Sequence, residues 1–107
     1  MAVSAGTAGQ RTSADARPPF RIALAQVNMC VGDLSGNAER VRSQARSAAG
    51  AGADLVAFPE MMITGYPPED LVLRRSFAQA SEATLGVLAT DLVGDGCGDL
   101  PVVVGYL

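Results

Sequence analysis

Residues 54–60 read DLVAFPE, a short apolar run closed by proline and glutamate. Leu55, Val56, Ala57 and Phe58 follow one another without polar alternation, the pattern of a strand buried inside a parallel sheet. Pro59 stiffens the strand exit because its ring fixes φ, and so restricts where the next side chain points. In open α/β sheets, sites form at the carboxyl ends of strands, which is where Glu60 stands. From its position alone, Glu60 is either a solvated loop carboxylate or a general base whose neutral form is favoured by desolvation.

The chain on either side repeats a strand–helix alternation. Upstream, Phe20 to Val27 (FRIALAQV) reads as a strand that follows Pro18-Pro19. Turn chemistry at Gly32-Asp33 and Ser35-Gly36-Asn37 comes next. A helix is expected over about 37–49, with Ala38, Val41, Ala45, Ala48 and Ala49 on one face and Arg40, Ser43, Gln44 and Ser47 away from it. Ser35 or Asn37 would cap it, and Gly50 and Gly52 would end it. Downstream, Pro68 opens a helical turn in which Glu69 and Asp70 suit the positive end of the dipole. A second helix is expected over about 76–92, with Phe77, Ser81, Leu85, Leu88 and Leu92 inward. Pro101 to Tyr106 (PVVVGY) reads as a third strand, with valines 102–104 as core.

The order is therefore β-α-β-α-β, an α/β fold with parallel strands and helical crossovers. Three such strands alone would leave open hydrophobic edges, so the sequence reads as incomplete. Residues 1–19 are small and polar and read as a disordered tail. The folding unit is 20–107.

Composition narrows the function classes. The 107 residues are 49% hydrophobic and 18% charged, a globular balance and not a disordered one. Net charge is -3 and no basic stripe is present, which argues against nucleic acid as a partner. No apolar run approaches a membrane span, and the N-terminus has no apolar core of a secretory signal. The expected location is the cytoplasm, where Cys30 and Cys97 would stay reduced. Two cysteines without histidine make a zinc site implausible, and no metal ligand set is expected. All 8 basic residues are arginine, so the chain lacks the His and Lys that most often activate a nucleophile.

The longer run FPEMMITGYPPEDLVLR, residues 58–74, resembles the carbon-nitrogen hydrolase (nitrilase) superfamily, whose first catalytic block is a strand ending in Phe-Pro-Glu. The continuation Thr64-Gly65-Tyr66-Pro67-Pro68-Glu69-Asp70-Leu71, with Leu73-Arg74, looks like the glutaminase domains of NAD⁺ synthetases. RIALAQVN, GDLSGN and GADLVAFPE fit the same family. The resemblance implies the start of a nitrilase-type α-β-β-α sandwich. It implies that Glu60 is the general base that takes the proton of a cysteine thiol, with a lysine stabilising the oxyanion. It suggests Tyr66 at the substrate entrance; a ring packed over the loop with a wet hydroxyl is the competing reading.

Neither the family's lysine nor its nucleophilic cysteine block occurs here. Cys30 precedes the glutamate, whereas the family nucleophile follows it, and Cys97 lies in a glycine-rich turn that does not match the family's block. These 107 residues alone are therefore expected to be inactive. For the whole enzyme the resemblance implies glutamine, ATP and deamido-NAD⁺ as substrates, Mg²⁺ accompanying ATP, and a homo-oligomer. No cofactor is expected on the residues present. Two alternatives stay open: another amidohydrolase of the superfamily, and a non-catalytic α/β binding module.

Overall fold

The computed structural model describes residues 2–7 and 18–107; for 2–7 only the backbone pairing is described. The elements are β1 (Ala2–Thr7), β2 (Arg21–Gln26), α1 (Leu34–Gly50), β3 (Leu55–Ala57), a 3-10 helix (Glu69–Leu73), α2 (Arg75–Gly94) and β4 (Val102–Val103). They form one sheet of order β1-β2-β3-β4. β2, β3 and β4 are parallel, as the strand–helix alternation requires, and β1 adds antiparallel to β2.

β1 departs from the expected tail over 1–19. Ala2–Thr7 pairs with Arg21–Gln26 along its whole length, which supplies partners for the otherwise open edge of β2. Small, polar residues such as AVSAGT carry no hydrophobic alternation, so the pairing leaves no periodic trace in the sequence. Residues 8–17 of that expected tail lie outside the described residues.

Both helices cover one face of the sheet. The cross-strand row Ala23–Val56–Val102 points toward them, and Ala23 and Val56 are fully buried there. α1 meets this face with Val41, Ala45 and Ala48, all fully buried; alanine lets its backbone come close. α2 adds Leu88 and Leu92. Each valine or leucine buried in this way is worth roughly 1.5–3 kcal/mol, and each alanine methyl less. The opposite row, Leu24–Ala57–Val103, is uncovered, and Leu24 and Val103 are 56% and 54% exposed. The expectations that β3 is buried on both faces and that valines 102–104 are all core therefore hold for one face only. Apolar composition does not say which side of a strand is covered.

α1 begins three residues earlier than its periodicity suggests. Asp33 caps it, its carboxylate accepting the Gly36 N–H at 3.0 Å, so Ser35-Gly36-Asn37 is the first turn of the helix. Gln44 is buried, contrary to its expected place off the stripe, and Ala49 is exposed. At the start of the sheet, Asp54 clasps β2: Arg21 N–H donates to its carboxylate at 2.8 Å, and its own N–H donates to the Arg21 carbonyl at 2.8 Å.

The two helices are tied by charge. Arg42 of α1 donates from Nε and Nη2 to the carboxylate of Asp95, just past α2, at 2.7 Å each, and Arg46 adds a contact at 3.2 Å. The hydrogen bond from Arg42 holds the Asp95 carboxyl below the usual carboxylate range, with the charges of Arg42 and Arg46 acting in the same direction. A carboxyl depressed on folding stabilises fully above its unfolded pKa, and that contribution is lost as pH falls through the folded value. Asp95→Asn is thus expected to lower the melting temperature at neutral pH, with the gap from wild type closing in acid. Melts across a pH series measure it; a gap undiminished in acid would contradict the linkage.

Candidate functional site

Parallel strands end at the same edge of a sheet, so the exits of β2 and β3 lie side by side. Val27, Asn28 and Met29 leave β2 there, and Pro59 and Glu60 leave β3. Together with Tyr66 they line one concavity of about 320 Å³. Both residues singled out in the sequence, Glu60 and Tyr66, thus border the same space. Both are exposed, Tyr66 by 60%. The burial expected around Glu60 is not provided by the described residues: a strand exit at a sheet edge is open unless other chain covers it.

The loop behind Glu60 is, by contrast, tightly held. Met61 takes a positive φ of 52°, turning the chain inward, and Met62, Ile63 and Thr64 are fully buried. Ile63 N–H donates to the Gly105 carbonyl beyond β4 at 3.2 Å, and Gly65 N–H donates to the Met61 carbonyl at 2.9 Å. The Thr64 hydroxyl donates to the Gly65 carbonyl at 3.2 Å, and the Thr64 carbonyl accepts from Gly32 N–H at 2.8 Å. Gly65 has φ 81°, a left-handed backbone that glycine adopts without penalty, and a Cβ there would meet the Val31 backbone. A Cβ at Gly105 would come within 2.8 Å of Met61 N. The exposed carboxylate therefore stands on a rigid base.

Val27, Asn28 and Met29 line the concavity although nothing in the sequence singles them out. They follow β2 without a chemical signature, and only its parallel pairing with β3 brings them beside Glu60. Asp33, and neither Ser35 nor Asn37, is the cap of α1. Asn37 is instead fully buried and hydrogen-bonds Cys30 and Ile63. Cys30 is exposed and outside the concavity's lining, and Cys97 is buried beneath α2; both are free thiols. The Glu69–Leu73 segment is a 3-10 helix with Pro68 as its cap residue, one place earlier than expected. Glu69 and Asp70 form no ion pair with Arg74 or Arg75 among the described residues. Among the described residues, no group of three or more His, Cys, Asp or Glu is placed to hold a metal, and no helix is long and apolar enough to cross a membrane.

A parallel α/β sheet with a glutamate at the exit of its second parallel strand is the arrangement that the resemblance of residues 58–74 implies. Residues 21–95 match the carbon-nitrogen hydrolase family model, and the chain belongs to that family. Its relatives there are specific. It is 47% identical over 74 residues to the glutamine-dependent NAD(+) synthetase of Rhodobacter capsulatus, a match covering 69% of this chain and 13% of that protein. It is 50% identical over 88 residues to the synthetase of Xylella fastidiosa, covering 81% of this chain and 15% of that one. The chain thus spans about an eighth to a seventh of the length of these relatives.

Solved structures agree. The glutamine-dependent NAD(+) synthetase of Cytophaga hutchinsonii superposes with a TM-score of 0.72 at 29% identity, over 81% of this chain and 14% of that one. An amidase from Nesterenkonia sp. superposes with a TM-score of 0.63 at 28% identity, over 72% of this chain and 29% of that one.

Proposed function

We propose that this chain supplies the general-base part of the glutaminase site of a glutamine-dependent NAD⁺ synthetase. The observation that carries the reading is Glu60 at the exit of β3, facing the same concavity as Tyr66, in a chain whose relatives are synthetases of that kind. In this reading the Glu60 carboxylate takes the proton of a cysteine thiol contributed from outside residues 1–107. The thiolate attacks the glutamine amide carbon, the C–N bond breaks, and ammonia leaves with the proton that Glu60 received. Water then hydrolyses the thioester to glutamate. Tyr66 stands at the mouth and borders the incoming glutamine.

The whole enzyme would pass the ammonia to deamido-NAD⁺ activated by ATP, releasing AMP and forming NAD⁺. ATP and Mg²⁺ belong to that second step, and we assign neither to a residue of this chain. By the same reading the enzyme works in the cytoplasm as a homo-oligomer. The test is to supply the enzyme that carries this segment with glutamine labelled at its amide nitrogen, ATP and deamido-NAD⁺. Label in the NAD⁺ amide, with glutamate formed alongside, is the expected result. Glutamate without labelled NAD⁺ would point instead to an amidohydrolase like the Nesterenkonia relative, and release of neither would refute a glutaminase role.

A further inference from the structure

Asn37 sits in the first turn of α1, where its helix propensity is poor and where Asp33 already provides the cap. Its side chain is fully buried. Nδ2 donates to the Cys30 carbonyl at 2.8 Å and to the Ile63 carbonyl at 2.9 Å. Oδ1 accepts the Cys30 N–H at 2.9 Å and a contact from Arg40 Nη1 at 3.1 Å. Every donor and acceptor position of the carboxamide is therefore used, and a satisfied buried polar network specifies one geometry. Cys30 belongs to the loop after β2 and Ile63 to the loop after β3. These two loops contribute Asn28, Met29 and Glu60 to the concavity, so one side chain spans the two walls from behind.

We propose that Asn37 is a positioning residue for the glutaminase reaction: its buried carboxamide locks the β2 and β3 exit loops together and thereby sets where the Glu60 carboxylate stands. This rests on the glutaminase reading. Asparagine is the side chain the geometry demands. Aspartate has the same shape but would turn two donors into acceptors facing the Cys30 and Ile63 carbonyls, and alanine would leave both carbonyls without partners. Either change frees the loop three residues from Glu60. A displacement of order 1 Å at a reacting group costs on the order of 10²-fold in rate.

The experiment is a double-mutant cycle in the whole enzyme that carries this segment, with Asn37→Asp, Glu60→Gln and both together. Glutamine-driven and ammonia-driven NAD⁺ formation are read in parallel. Expected for Asn37→Asp is a loss on the order of 10²-fold in glutamine-driven kcat, with KM for glutamine little changed and ammonia-driven turnover retained. In the Glu60→Gln background the second substitution is expected to cost almost nothing more, since both act through one group. An unchanged kcat for Asn37→Asp, or full multiplicative losses in the double variant, would overturn the inference. Should Asn37→Asp not fold, Asn37→Ala removes both donors without adding a buried charge. A selective loss of kcat there supports the locked-loop account, and wild-type kcat overturns it. A wild-type enzyme with no glutamine-driven activity would defeat the glutaminase reading itself, whereas an active wild type insensitive to substitution at Asn37 defeats this inference alone.

Discussion

Glu60→Gln is expected to lower glutamine-driven NAD⁺ formation by roughly 10²–10⁴-fold while leaving ammonia-driven formation near wild type. The amide has the shape of the carboxylate but cannot take a thiol proton at neutral pH. The fold should not suffer, because Glu60 is exposed and makes no hydrogen bond or ion pair among the described residues. The loop behind it is held by Asn37, Thr64 and backbone bonds that the substitution leaves intact. Parallel assays with glutamine and with ammonium salt measure the split. Equal loss in both would mean that Glu60 acts on folding or on the synthetase step rather than on the thiol.

Gly65→Ala is expected to destabilise strongly, for two separate reasons. Its φ of 81° lies in the left-handed region, which costs a residue with a Cβ about 1–2 kcal/mol. A Cβ there would also meet Val31 Cα at 2.6 Å and Val31 N at 2.7 Å. Those are backbone atoms that cannot rotate away, so the two loops must separate, and overpacking of this kind typically costs another 1–3 kcal/mol or so. The movement would strain the Gly32–Thr64 backbone bond and shift the base on which Glu60 stands. The variant should therefore lose both melting temperature and glutamine-driven turnover. A variant with wild-type stability would show that the loops do not approach as closely as described.

What the sequence revealed, and what it hid, follows from which physical signals are local. Two parallel crossovers were readable because helix and strand periods differ and because Gly50, Gly52 and Pro101 punctuate them. The place of Glu60 at a strand exit was readable because Pro59 closes an apolar run. β1 was not, since its pairing depends on the open edge of β2 and not on its own residues. The uncovered row of Leu24, Ala57 and Val103 was hidden as well, because apolar composition records that a face is to be buried and not what buries it. Asn37 was expected as a cap because its actual partners, Cys30 and Ile63, come beside it only through tertiary packing, and Gln44 was expected off the apolar stripe because a polar side chain in an amphipathic helix gives no local sign of burial. The glutaminase reading itself came from the resemblance of residues 58–74, which periodicity alone would not supply.

The most direct measurement is the rate at which an electrophilic glutamine analogue alkylates the catalytic cysteine of the whole enzyme, in wild type and in Glu60→Gln. General-base action on the thiol requires that alkylation slow in the variant by a factor comparable to its loss of glutamine-driven turnover, with binding of the analogue unchanged. Alkylation at the wild-type rate in Glu60→Gln would show that the thiol loses its proton to another group, and would remove Glu60 from the role assigned to it.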